Sequence, residues 1–182
     1  MKLKKNFRLP LDEFINFSLY DKKLGFYMKK NPFGKDGDFI TAPNISRLFS
    51  EMISIWLISF WQSLGCPKKF NLVELGPGNG EMTKILIESL KNFPDFLNSC
   101  NFILYEKSPT LIKIQKKNLR KLKISWISKI KKIRKIPSIF LANEFFDALP
   151  IKQLDKKGNL WFEKCVDLTN KEKPFFLKKK LI

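Results

Sequence analysis

Between residues 70 and 90 an apolar run, Phe70-Asn71-Leu72-Val73-Glu74-Leu75, passes directly into Gly76-Pro77-Gly78-Asn79-Gly80 and then into a helix-forming stretch, Glu81 to Leu90. Nothing else in the 182 residues constrains the fold as tightly. Glycines at alternate positions let the backbone turn through left-handed angles and leave no Cβ between chain and ligand. A loop of this kind, set between a buried strand and a helix, belongs to parallel α/β sheets, whose ligands lie outside the carboxyl ends of the strands. The following sequence keeps the alternation. Phe102 to Tyr105, Ile124 to Ile127 and Ser138 to Ala142 read as strands, Pro109 to Leu122 as a helix, and Asn92 to Cys100 as a loop. The expected fold is α/β and Rossmann-like, a parallel sheet with helices on both faces.

The flanks read differently. A short helix opens at Pro10-Leu11-Asp12-Glu13, and Lys23 to Gly37 is loop-like. A long helix from about Ile45 to Leu64, capped by Asn44 or Thr41, stops at Gly65 and Pro67. Its most apolar part, Leu48 to Trp61, is shorter than the roughly 18 apolar residues of a membrane span. Residues 1–67 are therefore expected to form a helical segment packed on a sheet domain of residues 68–182. Within that domain Ile151 to Leu154 and Leu160 to Val166 form a hairpin, while Thr169 to Ile182 is exposed or frayed.

The spacing of the glycines narrows the ligand. In a dinucleotide fingerprint the third glycine would fall at Glu81, and an acid there would repel a pyrophosphate. No Gly-Lys-Ser/Thr follows, which excludes a Walker loop. The pattern running from Glu74 through Gly76 and Gly78 to Gly80 resembles the loop of methyltransferases that bind S-adenosylmethionine, a cationic nucleoside without phosphate. Glu106, at the end of the second strand, can accept from both ribose hydroxyls. It lies 26 residues beyond Gly80, against roughly 20 in Rossmann units, so the Asn92–Cys100 loop must absorb the excess. Asn143-Glu144-Phe145-Phe146-Asp147 follows the fourth strand, which sits beside the first and so overlooks the reacting end of such a cofactor. Asn143 could orient a nitrogen acceptor, and Glu144 or Asp147 could hold a guanidinium and take its proton.

The formal net charge is +18, but only 4 of the 35 basic residues are Arg, the better reader of phosphates. The lysines are scattered, and a solvated surface is favoured over a nucleic-acid face. There is no His, which removes His-based catalysis and most zinc sites, and no metal is expected. Three widely spaced cysteines fit a reducing compartment.

Ser18-Leu19-Tyr20-Asp21, Gly25-Phe26-Tyr27, the stretch Gly37 to Pro43, Val73 to Gly80 and Asn143 to Pro150 occur in this order. Together they resemble the MidA-type class I methyltransferases, whose mitochondrial members methylate protein arginine and assist assembly of respiratory complex I. The resemblance covers roughly Leu9 to Val166. It implies S-adenosyl-L-methionine as cofactor, held by Asp38, Thr41, Glu74, Gly76, Pro77, Gly78, Gly80 and Glu106, with Asn143, Glu144 and Asp147 at the acceptor. It also implies a protein substrate, a respiratory-complex subunit among the candidates, in a bacterial-type cytoplasm or a mitochondrial matrix. Members of the family are about twice this length, so the C-terminal part of the fold is expected to be missing and the fourth strand to lie near an open edge. A nucleic-acid methyltransferase and a non-catalytic assembly module or gene remnant stay open as alternatives.

Overall fold

In the computed structural model, residues 8–34, 37–169 and 175–181 are described. The elements are, in chain order, β1 (Arg8–Pro10), α1 (Leu11–Tyr20), α2 (Phe26–Lys29), α3 (Ala42–Ile45), α4 (Arg47–Ser63), β2 (Phe70–Leu75), α5 (Glu81–Leu90), α6 (Pro94–Ser99), β3 (Cys100–Tyr105), α7 (Pro109–Asn118), β4 (Ile124–Ile127), β5 (Ser138–Leu141), β6 (Leu154–Lys157), β7 (Leu160–Asp167) and β8 (Phe175–Lys180). Single 3-10 turns occur at Ile130–Lys132 and Phe146–Ala148. The chain divides into two compact units. One is Lys29–Phe146, and the other joins the two chain ends, up to Met28 and from Asp147 onward. This differs from a division at residue 67. The reason lies in α4, whose Leu57, Ile58 and Trp61 belong to the same core as Phe70, Leu72 and Leu86.

The Lys29–Phe146 unit is the Rossmann-like α/β domain. Its sheet has the order β4-β3-β2-β5, and every neighbouring pair is parallel. All six residues of β2 are buried, as a central parallel strand requires. Alternation places Phe70, Leu72 and Glu74 on one face. There Phe70 and Leu72 meet Leu57 and Trp61 of α4, Met82, Leu86 and Leu90 of α5, and Ile139 of β5. Arg47 ties α4 to α5, its Nε 2.7 Å from Glu51 and its Nη1 2.9 Å from Glu88. Both carboxylates raise the Arg47 pKa.

Two local readings change. The segment Asn92 to Cys100 contains helix α6 rather than a plain loop, because Phe96 is fully buried edge-on against Phe70 and Trp61, at ring separations of 5.1 and 5.6 Å. Its start carries Pro94 and Asp95, both helix-opening residues. The long helix expected from about Ile45 to Leu64 is α4, Arg47–Ser63, but it is not capped as expected: a separate short helix, α3, precedes it, Ser46 between them is extended, and neither Thr41 nor Ser46 makes a side-chain cap. Among the described residues β4 and β5 are the outer strands, and no helix is long and apolar enough to cross a membrane.

The second unit is an antiparallel sheet built around β7. Strand β8 pairs along one edge of β7, while β6 and β1 share the other edge end to end. The expected hairpin forms between β6 and β7, but its first strand is Leu154–Lys157 rather than Ile151 to Leu154, because only Gly158-Asn159 makes the turn, with Gly158 at φ 57°. The C-terminal lysines were expected to fray. Phe175–Lys180 instead forms a strand in register with Phe162 to Asp167, while 170–174 and 182 lie outside the described residues. Arg8 pairs with buried Asp167 at 2.7 Å, and the hydroxyl and N–H of Thr169, together with this guanidinium, hold the Asp167 pKa below its ordinary value. Lys152 stands 2.6 Å from Glu163 and 3.5 Å from Asp12, and Tyr20 donates to the carbonyl of Ala148 at 2.8 Å.

Candidate functional site

The glycine loop leaves the carboxyl end of β2 with φ of 65°, 56° and 85° at Gly76, Gly78 and Gly80, angles that only glycine adopts cheaply. Gly80 is also the residue that opens α5. A Cβ on Gly76 would stand 2.7 Å from the Phe145 ring, and one on Gly78 would stand 3.3 Å from the Phe33 ring. The protein's own aromatic rings thus make part of the close approach that a missing Cβ permits. Phe145 is further packed edge-on against Tyr105 at 6.2 Å and against Phe146 at 5.5 Å.

Polar contacts fix the loop from two sides. The N–H of Gly76 donates to the carbonyl of Tyr105 at 3.0 Å, joining the loop to the end of β3. Gln115 donates to the carbonyl of Gly78 at 2.9 Å, and Asn118 to that of Asn79 at 3.0 Å. On the other side the Asn79 amide donates to Asn44 at 2.9 Å, and Asn44 donates to Thr41 at 2.8 Å. The Asn79 oxygen accepts from the N–H of Glu81 at 3.1 Å, so it serves an orphan donor of the α5 N-terminus. Thr41 therefore reaches the loop through Asn44. Asp38 does not: it is exposed and paired with Lys30 at 2.8 Å. An open cavity of about 310 Å³ lies on the Asn44 side, lined by Ile40, Pro43, Asn44, Arg47, Glu81 and Ile85 among others.

The two acids of the pattern are both buried. Glu74 receives the hydroxyl of Thr83 on α5, and complete burial pushes its pKa up to about 7. It is directed into the packing beneath α5. Glu106 is 8% exposed. Its Oε1 accepts from the N–H groups of Lys107 and Ser108 at 2.7 and 2.8 Å, and its Oε2 from Gln115 at 3.2 Å. Burial raises its pKa, against the lowering effect of those donors. A carboxylate offers about four acceptor positions. Three are in use, so Glu106 keeps room for one more donor, where sequence alone had assigned it two ribose hydroxyls.

The acceptor-side residues fall in both units. Asn143 is half-buried and Glu144 exposed, directly after β5, with Glu144 at φ 50°. Asp147 is exposed on the 3-10 turn and belongs to the other unit. Among the described residues no hydrogen bond or ion pair engages these three side chains. Sequence reasoning missed Gln115, Asn118, Asn44 and the role of Asn79. The one available signal was a polar residue, Gln115, on the buried stripe that Leu111 and Leu119 define.

The residues present fit a phosphate-free nucleoside. A loop with glycine at three of its five positions adjoins a buried strand-end carboxylate with acceptor capacity left, and among the described residues no basic side chain is hydrogen-bonded to either.

Residues 52–181 match the model of a family described as S-adenosyl-L-methionine-dependent methyltransferases. The chain is 35% identical over 191 residues to "Protein arginine methyltransferase NDUFAF7, mitochondrial" of Xenopus tropicalis, covering 92% of this chain and 44% of that protein. The protein of the same name from Homo sapiens is 31% identical, with 92% and 43% covered. The chain thus spans somewhat less than half the length of these curated relatives. Among solved structures, a Burkholderia thailandensis protein crystallised with S-adenosyl-homocysteine superimposes with a TM-score of 0.77 at 20% identity, over 96% of this chain and 46% of that one. That likeness carries the fold. The matched stretch holds the glycine loop, Glu106 and the whole parallel sheet, and on this evidence the chain belongs to the family of S-adenosyl-L-methionine-dependent methyltransferases.

Proposed function

We propose that this chain binds S-adenosyl-L-methionine on the Gly76–Gly80 loop and works as a protein arginine methyltransferase. One observation carries the reading. The loop and Glu106 are held as a single unit, through the Gly76–Tyr105 backbone bond and through Gln115, which bonds the carbonyl of Gly78 and the carboxylate of Glu106 together. When bound, the cofactor supplies an electrophilic methyl group on a sulfonium. The protein's part is placement. Glu106 accepts from a ribose hydroxyl, and the glycines admit the nucleoside to the backbone. Asn143, through its side-chain oxygen, orients the acceptor nitrogen. Glu144 holds the guanidinium by charge-assisted bonds and takes its proton. Asp147 is a second candidate carboxylate from its place in the sequence. The left-handed Glu144 is supporting evidence, since strain of about 1 kcal/mol or more concentrates at functional positions.

Arginine as the acceptor is supported by the names of the relatives. The link to respiratory complex I assembly, and a subunit of such a complex as substrate, come from the family resemblance. The compartment proposed is a bacterial-type cytoplasm or a mitochondrial matrix. Calorimetry with S-adenosylhomocysteine tests the pocket. Binding is expected, and Glu106→Ala should weaken it by about tenfold or more, about 1.4 kcal/mol. A well-folded chain that takes up no ligand would sink the reading. Transfer of labelled methyl to an arginine peptide, lost in Glu144→Gln, tests the acceptor side.

A second reading, a nucleic-acid substrate, draws on residues 113 to 135, which hold nine lysines, two arginines and no acid, all eleven exposed and none in an ion pair among the described residues. It requires binding to RNA or DNA that weakens steeply with salt.

A further inference from the structure

Gln115 is fully buried in α7, on the side where Leu111 and Leu119 supply ordinary apolar packing. The orientation of its amide follows from its partners. The indole Nε1 of Trp126 can only donate, and it lies 3.0 Å from Gln115 Oε1. Gln115 Nε2 therefore faces the carbonyl of Gly78 at 2.9 Å and the carboxylate of Glu106 at 3.2 Å, both acceptors. One amide so connects β4, the glycine loop and the end of β3, with all its bonds complementary. The Trp126 ring is in turn covered by the ammonium of Lys116, 5.6 Å from its centroid.

Packing alone does not require this. A methionine would fill the same volume, and a buried polar network adds little net stability while fixing its members in place. The member whose placement matters is Glu106. Its Oε1 is held by two backbone N–H groups, and the remaining freedom is the tilt of the carboxylate plane, which Gln115 sets through Oε2. We infer that Gln115, oriented by Trp126, is a positioning residue for the nucleoside: it aims the free acceptor site of Glu106 at a ribose hydroxyl and sets the selectivity for a hydroxylated ribose. This rests on the reading of Glu106 as the ribose acceptor.

The test measures binding of S-adenosylhomocysteine and of its 2′,3′-dideoxy analogue to the full chain, for wild type, Gln115→Met, Trp126→Phe and Gln115→Met in the Glu106→Gln background. Gln115→Met is expected to weaken the natural ligand about tenfold and the dideoxy analogue by less than about twofold, because only the first has hydroxyls to place. Trp126→Phe should lower the same ratio by a smaller factor, and it serves in place of Gln115→Met if that variant fails to fold. In the Glu106→Gln background, Gln115→Met should change the ratio no further. Equal losses for both ligands, or an unchanged ratio in Trp126→Phe and Gln115→Met alike, would overturn the inference while leaving the pocket standing. A folded wild type that binds neither ligand overturns the pocket and this inference together.

Discussion

Gly76 and Glu74 illustrate how single positions here are set by opposing demands. An alanine at Gly76 would carry its Cβ 2.7 Å from the Phe145 ring on a backbone at φ 65°. The left-handed strain is about 1–2 kcal/mol, and the ring must also move. Gly76→Ala is therefore expected to lower the urea midpoint and to displace Phe145, which the ring resonances of Phe145 and Tyr105 would report. Unchanged stability would mean that the turn tolerates a side chain. Glu74 is a pH-dependent element of the same turn. Its ordinary pKa is 4.5 and its folded value about 7, raised by burial against the Thr83 hydroxyl. Between those values the folded chain keeps a proton that the unfolded chain has released. The stability from this group is complete below about pH 4.5 and is lost as the pH rises through about 7, by roughly 3 kcal/mol at most. Glu74→Gln, which can still accept from Thr83, should remove that slope and stand above wild type in stability at pH 8. Parallel profiles for the two proteins would refute the assignment.

Helix α4 shows what an element gains from only one of its faces. Ser50, Ser54, Leu57, Ile58 and Trp61 are buried against α5 and β2, whereas Leu48, Met52, Ile55 and Trp56 are about half exposed or more. Leu57→Ala should cost about 2–5 kcal/mol in unfolding experiments, through lost burial and a cavity in the core. Ile55→Lys, two residues away on the exposed face, should stay within about 0.5 kcal/mol. Equal costs would mean that the outward face is covered in solution. The same distinction explains one kept and one misread segment. Apolar periodicity across Ile45 to Leu64 located α4, Arg47–Ser63, to within two residues. Phe96 looked like a loop residue until its ring was placed between Trp61 and Phe70.

The chain as a unit carries 35 basic and 17 acidic residues, and few of the cations find partners: eight ion pairs involve Arg8, Lys30, Arg47, Lys84, Lys152 and Lys178 among the described residues. Self-repulsion of this kind weakens the compact state and is screened within about 10 Å at 0.1 M salt. The melting temperature should therefore rise between 20 and about 300 mM sodium chloride. A fall would indicate that the ion pairs outweigh the repulsion.

What the sequence determined by itself was local and periodic. Strand β2, the glycine turn and α5 stand at the residues expected, and so do β4 and the turn at Gly158-Asn159, because each is specified by neighbours within a few positions. The pairing of the fourth strand with the first also followed, since parallel strands joined by helices allow few orders. Only the tertiary structure decided the remainder. Residues up to Met28 joined the unit beginning at Asp147 because β1 finds its hydrogen bonds on β7, more than 150 positions away. The lysine-rich Phe175–Lys180 became a strand because an edge of β7 was there to pair with. Glu106, placed correctly at a strand end, acquired its partners from the turn that follows it and from Gln115 on α7. No pattern along the chain reveals which buried amide will meet which carboxylate, because that depends on how three separate elements converge.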